Sequence, residues 1–133
     1  MLKNILGRIY ALYALLLFVC TMLVVFIPIW ISSFWPEPVP TRCFISIGRI
    51  WMLIYMPLIG CPVRLRGQKN FAPGQTYVVV CNHNSLMDVP VTTAFIPGAN
   101  KTLAKASMGK IPIFKVLYKI GGILVDRKSE ASR

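Results

Sequence analysis

The sequence predicts an α/β architecture: a membrane-anchoring helical hairpin over residues 1–66, followed by the first β-α-β-α-β part of an open sheet over residues 67–133. Three observations predict it. Residues 11–35 form one long apolar run without a single charge. Residues 76–81 (TYVVVC) and 122–126 (GILVD) are short, continuous apolar stretches rich in β-branched side chains. Between them lie two helix-length segments, so strands and helices alternate as they do in an open sheet.

The first run exceeds the roughly 20 residues that a helix needs to cross a hydrocarbon core. Lys3 and Arg8 precede it, as basic anchors on the cytoplasmic side do. A cleaved signal peptide has a shorter apolar region and a small-residue cleavage site, and neither is present. Pro28 can kink such a helix without shortening its apolar length. Pro36, Pro38 and Pro40 then stop the helix, because proline lacks the N–H and clashes with the preceding turn. Trp30 and Trp35 stand where an interfacial aromatic belt would place them. A second apolar stretch, residues 50–63, is broken by Pro57 and Pro62, which suits a re-entrant or interfacial helix. Arg64, Arg66 and Lys69 follow it. With basic residues before the first segment and after the second, both ends of the hairpin are expected on the cytoplasmic side.

Residues 70–75 (NFAPGQ) form a turn cluster, and the TYVVVC run after them reads as a strand buried on both faces. Residues 85–95 open a helix, with Ser85 or Asp88 near its amino end to cap free N–H groups. A short strand is expected at 101–104 and a helix at 111–120, with Pro112 in its first turn. Residues 122–126 give another buried strand. Only a few residues follow it, and the sheet has few elements to cover it, so the chain is expected to be part of a longer one.

Composition narrows the function. The chain has 15 basic and 4 acidic residues, a net charge of +11, and is 56% hydrophobic. Such an excess implies an anionic partner: nucleic acid, an acidic membrane surface or a phosphorylated substrate. Here the charge flanks long apolar runs instead of forming a polar face or arm, which argues against nucleic acid. Cys20, Cys43, Cys61 and Cys81 form no CxxC pair and no zinc spacing, and read as structural. Four acidic residues leave few metal-site options and argue against paired-carboxylate catalysis.

His83 is the single histidine, directly after the first strand run, and Asp88 follows five residues later. The carboxyl end of a strand is where open α/β folds place ligands. A carboxylate on the first turn of the next helix can hold one imidazole nitrogen while the other takes a proton. That suits general-base catalysis on a hydroxyl. Against this, a lone histidine near a turn is more often structural, and Asp88 alone is more often a first-turn acid. Ser85 lacks a nucleophile elbow and reads as a cap or substrate contact. Arg127, just past the last strand, offers a planar fork matched to phosphate, although a single arginine is usually a solvated charge. Lys101, Lys105, Lys110, Lys115 and Lys119 read mainly as surface lysines facing anionic lipid.

Asn82-His83-Asn84-Ser85-Leu86-Met87-Asp88 resembles the Asn-His-x-Ser-x-x-Asp signature of the glycerophospholipid acyltransferases, in particular the lysophosphatidic acid acyltransferase branch. AKASMGKIPIFKVLYKIGGILVDR resembles the next block of that family, in which a Lys and an Ile-Pro lead to a Gly-rich strand ending in Arg. The resemblance covers roughly the second half of the chain. It implies His83 as general base on the glycerol 2-hydroxyl and Asp88 as its orienting partner. It also implies that Arg127 binds the acceptor phosphate with help from Lys105, and that Asn84 and Ser85 line the pocket. The implied partners are membrane lipid, lysophosphatidic acid and an acyl-CoA or acyl-carrier protein as co-substrate, with phosphatidic acid as product and neither metal nor redox cofactor implied. The family's third block, a Glu-Gly-Thr-Arg turn, is not in this sequence, which again points to a continuation past Arg133. The implied location is a membrane, such as a bacterial inner membrane, with the catalytic part facing the cytoplasm. Two rival readings are the same chemistry on another lysolipid acceptor and a non-catalytic module that binds anionic lipid.

Overall fold

The computed structural model describes residues 2–126 and shows four α-helices and a small parallel sheet. Helix α1 runs over Leu2–Ser32 and contains Pro28. It begins well before the uncharged run, so Lys3 and Arg8 lie on the helix and not ahead of it. At about 1.5 Å per residue its 31 residues comfortably exceed a hydrocarbon core of about 30 Å. It is long and apolar enough to cross a membrane. Leu6, Ile9, Leu12, Leu16 and Val24 are among its many exposed apolar side chains. A surface of that extent needs an apolar medium or partner to cover it.

The proline-rich bend leads into helix α2, Val39–Leu58, which starts eleven residues ahead of the apolar stretch seen in the sequence. Pro40 sits in its first turn, where a missing N–H costs nothing. Its end is a Schellman motif: Gly60 N–H donates to Pro57 O at 2.9 Å and Cys61 N–H to Met56 O at 2.9 Å. Gly60 has φ of 73°, a left-handed conformation that favours glycine. Helix α2 carries Arg42 and Arg49, and α1 alone meets the length and hydropathy expected of a membrane span among the described residues.

The two helices run antiparallel. Tyr10 OH donates to Ile59 O at 2.7 Å, Tyr55 OH to Ala14 O at 3.0 Å, and Trp51 Nε1–H to Thr21 Oγ1 at 2.9 Å. Thr21 Oγ1 in turn donates to Leu17 O, 2.7 Å away, so the hydroxyl is satisfied inside an apolar interface. Phe18 stacks against Trp51 with ring centroids 5.1 Å apart.

Helix α3, Asp88–Phe95, lies against α2. Met52, Tyr55, Ile59, Ala94 and Phe95 form the buried cluster, with Leu17 and Phe18 of α1 and Met87 and Val91 packed around it. The core therefore joins the hairpin to the segment that follows it. Met52 is fully buried. Met52→Ala is expected to cost about 2–5 kcal/mol, since a cavity would open where three helices meet. A lowered thermal-unfolding midpoint in detergent would show it; an unchanged midpoint would mean that the site collapses freely.

Strands β1, Thr102–Lys105, and β2, Gly122–Val125, pair in parallel with Thr102 opposite Gly122 and Lys105 opposite Val125. Helix α4, Pro112–Gly121, makes the crossover. Its carboxyl end packs on α2: Gly121 leaves no room for a Cβ beside the Phe44 ring. This is a β-α-β unit, as the sequence indicates.

The strand expected at 76–81 is absent among the described residues. The segment has no regular structure and no strand partner, with Val78 93% and Val80 88% exposed. A strand buried on both faces takes its burial from neighbours, and β1 and β2 pair only with each other. The sheet therefore has two strands where the sequence suggests three. Strand β2 is also less buried than expected, since Ile123 and Leu124 are exposed.

Candidate functional site

Asp88 is the first residue of α3, and its carboxylate turns back toward the loop that precedes the helix. One oxygen, Oδ2, accepts from Asn84 N–H at 2.7 Å and from Ser85 N–H at 2.7 Å. The same Oδ2 lies 3.2 Å from His83 Nδ1. A negative charge is favoured at a helix amino end, where the first N–H groups have no partner within the helix. The spacing His-x4-Asp works because the turn between them doubles back. Asp88 N–H donates to Ser85 O at 3.2 Å, and Met87 N–H donates to Ser85 Oγ at 3.1 Å.

The expected capping roles shift in detail. Met87 occupies the cap position and makes no side-chain cap bond. Ser85 and Asp88 instead satisfy N–H groups around the turn itself. Ser85 Oγ is thereby engaged as an acceptor and holds the loop closed.

The electrostatics follow from this cradle. The Ser85 N–H is the main cause that holds the Asp88 carboxyl below its ordinary range. Partial burial opposes it, while the Asn84 N–H and the His83 ring add to the lowering. Asp88 thus remains an anion throughout the neutral range and fixes the imidazole through Nδ1. Among the described residues Nε2 makes no hydrogen bond, and the His83 side chain is 61% exposed. A histidine so held can take a proton at Nε2 from a bound hydroxyl.

Of the residues singled out by sequence, His83, Asn84, Ser85 and Asp88 come together in this turn. Lys105 ends β1, opposite Val125 at the carboxyl end of β2. No hydrogen bond among the described residues joins it to the His83–Asp88 pair. Arg127 lies outside the described residues.

The family model described as Acyltransferase matches residues 62–133, more than half of the chain and all of this loop. The chain belongs to the acyltransferase family.

Curated relatives of this acyltransferase chain narrow the comparison. It is 34% identical over 86 residues to the 1-acyl-sn-glycerol-3-phosphate acyltransferase alpha of Homo sapiens, covering 62% of this chain and 30% of that protein. The same protein of Bos taurus is 34% identical over 86 residues, covering 62% and 29%. The Ovis aries protein matches equally, at 34% over 86 residues. The acyltransferase chain therefore spans about 30% of the length of these relatives. No solved structure matches it.

Two residues that support the loop escape the sequence reading. Arg49 Nε–H donates to Ala94 O at 2.9 Å, and Gln68 Nε2–H donates to Phe95 O at 3.4 Å. Both end on carbonyls in the last turn of α3, where a helix leaves acceptors unsatisfied and where positive charge is favoured. The acyltransferase thus holds α3 at both ends: the His83–Asp88 loop at one, Arg49 of α2 and Gln68 of the segment after it at the other. A signal for Arg49 was present, since a charge placed between apolar residues needs a nearby acceptor.

Proposed function

We propose that this protein transfers a fatty acyl group from acyl-CoA or acyl-carrier protein to the 2-hydroxyl of 1-acyl-glycerol-3-phosphate, giving phosphatidic acid. The observation that carries this reading is the His83–Asp88 pair, held at 3.2 Å within an acyltransferase match. The 1-acyl-sn-glycerol-3-phosphate named in the relatives' descriptions supports the acceptor.

In this reading His83 Nε2 removes the proton as the glycerol hydroxyl oxygen attacks the thioester carbonyl. The C–O bond forms, the C–S bond breaks, and the proton passes from the imidazolium to the departing thiolate. The products are an ester and a free thiol, and no acyl-enzyme is needed. Asp88 keeps the ring in the tautomer that donates from Nδ1 and offsets its transient charge. Asn84 and Ser85 line the acceptor pocket. Lys105, and Arg127 just past β2, bind the acceptor phosphate. No resident cofactor takes part.

Residues 1–66 serve as the membrane anchor and residues 67–133 as the amino-terminal part of the catalytic domain. The apolar surface of α1 supports a membrane location, where a lysolipid is found, and the flanking basic residues support a cytoplasmic site. The net charge and exposed helices would equally serve a non-catalytic module for anionic lipid.

The test is a transfer assay on membranes expressing this chain or the open reading frame that contains it. The substrates are 1-acyl-glycerol-3-phosphate and an acyl thioester, and formation of phosphatidic acid above the background of control membranes is the expected result. Transfer only to another lysolipid would replace the acceptor. Membrane binding without transfer to any acceptor would overturn the enzyme reading in favour of the lipid-binding module.

A further inference from the structure

Beyond the catalytic loop, an apolar groove opens along the carboxyl half of α3, where the chain leaves the hairpin. One part, about 310 Å³, is walled by Val63, Leu65, Phe71, Val91 and Phe95. A second, about 420 Å³, continues from it across Leu65, Phe95 and Pro97 to Leu53 of α2. These volumes fall at the lower end of what small-molecule sites enclose.

Two features define what fits. Leu53 belongs to an exposed stripe on α2 formed by Ile50, Leu53, Ile54 and Leu58. The spacing places them on one helical face, so the groove is continuous with the apolar surface of the anchor. Arg64 and Arg66 alternate with Val63 and Leu65 and also line the groove. Neither arginine has a hydrogen bond or ion pair among the described residues, and both are exposed. The groove therefore pairs an apolar channel leading from the lipid-facing surface with two unclaimed guanidinium groups suited to phosphate. An acidic peptide or nucleic acid would match the arginines but not the apolar walls.

We propose that this groove seats an acyl chain of an anionic bilayer phospholipid, with the lipid phosphate on Arg64 and Arg66. It is a second lipid position, separate from the acceptor site. His83 and Asp88 stand at the amino end of α3, whereas the groove follows its carboxyl half. The proposal does not depend on the catalytic reading.

The test is photolabelling of the full chain in phosphatidylcholine vesicles that contain a trace of phosphatidylglycerol bearing a diazirine on one acyl chain. Label is expected on peptides covering residues 63–71 and 91–97, as well as on α1. In the double variant Arg64→Gln/Arg66→Gln the groove label should fall about thirtyfold, as two basic residues near anionic lipid imply. The α1 label should hold constant and serve as an internal standard. Lys115→Gln/Lys119→Gln, which removes two lysines of α4, should leave the groove label unchanged. Equal groove labelling by a phosphatidylcholine probe, or label confined to α1 and the α2 stripe, would overturn the proposal. So would displacement of the label by lysophosphatidic acid, which would make the groove the acceptor site. Absence of groove label in the unmutated protein, with acyl transfer intact, would remove this inference and leave the enzyme reading standing.

Discussion

His83→Ala is expected to lower acyl transfer by about 10²–10⁴-fold, the range in which a positioned general base contributes. The fold should survive. The side chain is 61% exposed, and its one recorded hydrogen bond is to Asp88. Asp88 would keep its two backbone N–H partners, Asn84 and Ser85, so the turn would remain closed. The measurement pairs phosphatidic acid formation with thermal unfolding of the same preparation. Unchanged transfer would end the general-base assignment, and a matching collapse of stability would show His83 to be structural.

The second large effect concerns Asp88, where two substitutions separate charge from geometry. A single oxygen receives all three bonds from Asn84, Ser85 and His83. In Asp88→Asn the amide oxygen can occupy that position and accept the same three donors, so the loop and the tautomer persist while the charge is lost. A fall of about 10²-fold is expected, smaller than in a triad where the amide forces the wrong tautomer. Asp88→Ala removes the acceptor as well, leaves two N–H groups without their partner, and should match His83→Ala or exceed it. Equal effects from the two substitutions would mean that the charge matters more than the cradle. The pH dependence supplies a check on sign. The Asp88 carboxyl is held below its ordinary range, so its contribution to loop stability is complete above that range. The contribution is lost as the pH falls through the lowered value. Asp88→Asn should lose this acid-limb dependence, which hydrogen exchange at the Asn84 and Ser85 amides would record.

The local features were the most legible in the sequence. Residues 82–88 carry their own turn chemistry, since Ser85 and Asp88 satisfy N–H groups within a few residues of themselves. The helix with Pro112 in its first turn and the glycines after it also follow from local rules. What could not be read there depends on neighbours. TYVVVC has the composition of a buried strand, yet pairing requires a partner edge that the described residues do not supply. Helix α2 begins at Val39 because its first half buries Pro40, Thr41 and Ile45 and sets Phe44 against α4, whereas an apolar-run criterion registers only the part after Gly48. The apolar neighbours of Arg49 signal that it needs an acceptor, but not which one. Its value lies in a carbonyl of Ala94, 45 positions away.

The contact between Arg49 and the end of α3 has a mechanical consequence. The hairpin and α3 are not beads on a string; they share a core through Met52, Tyr55 and Phe95 and are latched by Arg49 and Gln68. The hairpin acts as the chassis on which α3 is mounted, and α3 sets the height of the imidazole. The position of His83 relative to the hairpin is thus a built-in dimension of the fold. Cutting away the first 66 residues would remove one wall of that mount, since Met52, Tyr55 and Ile59 would go with them.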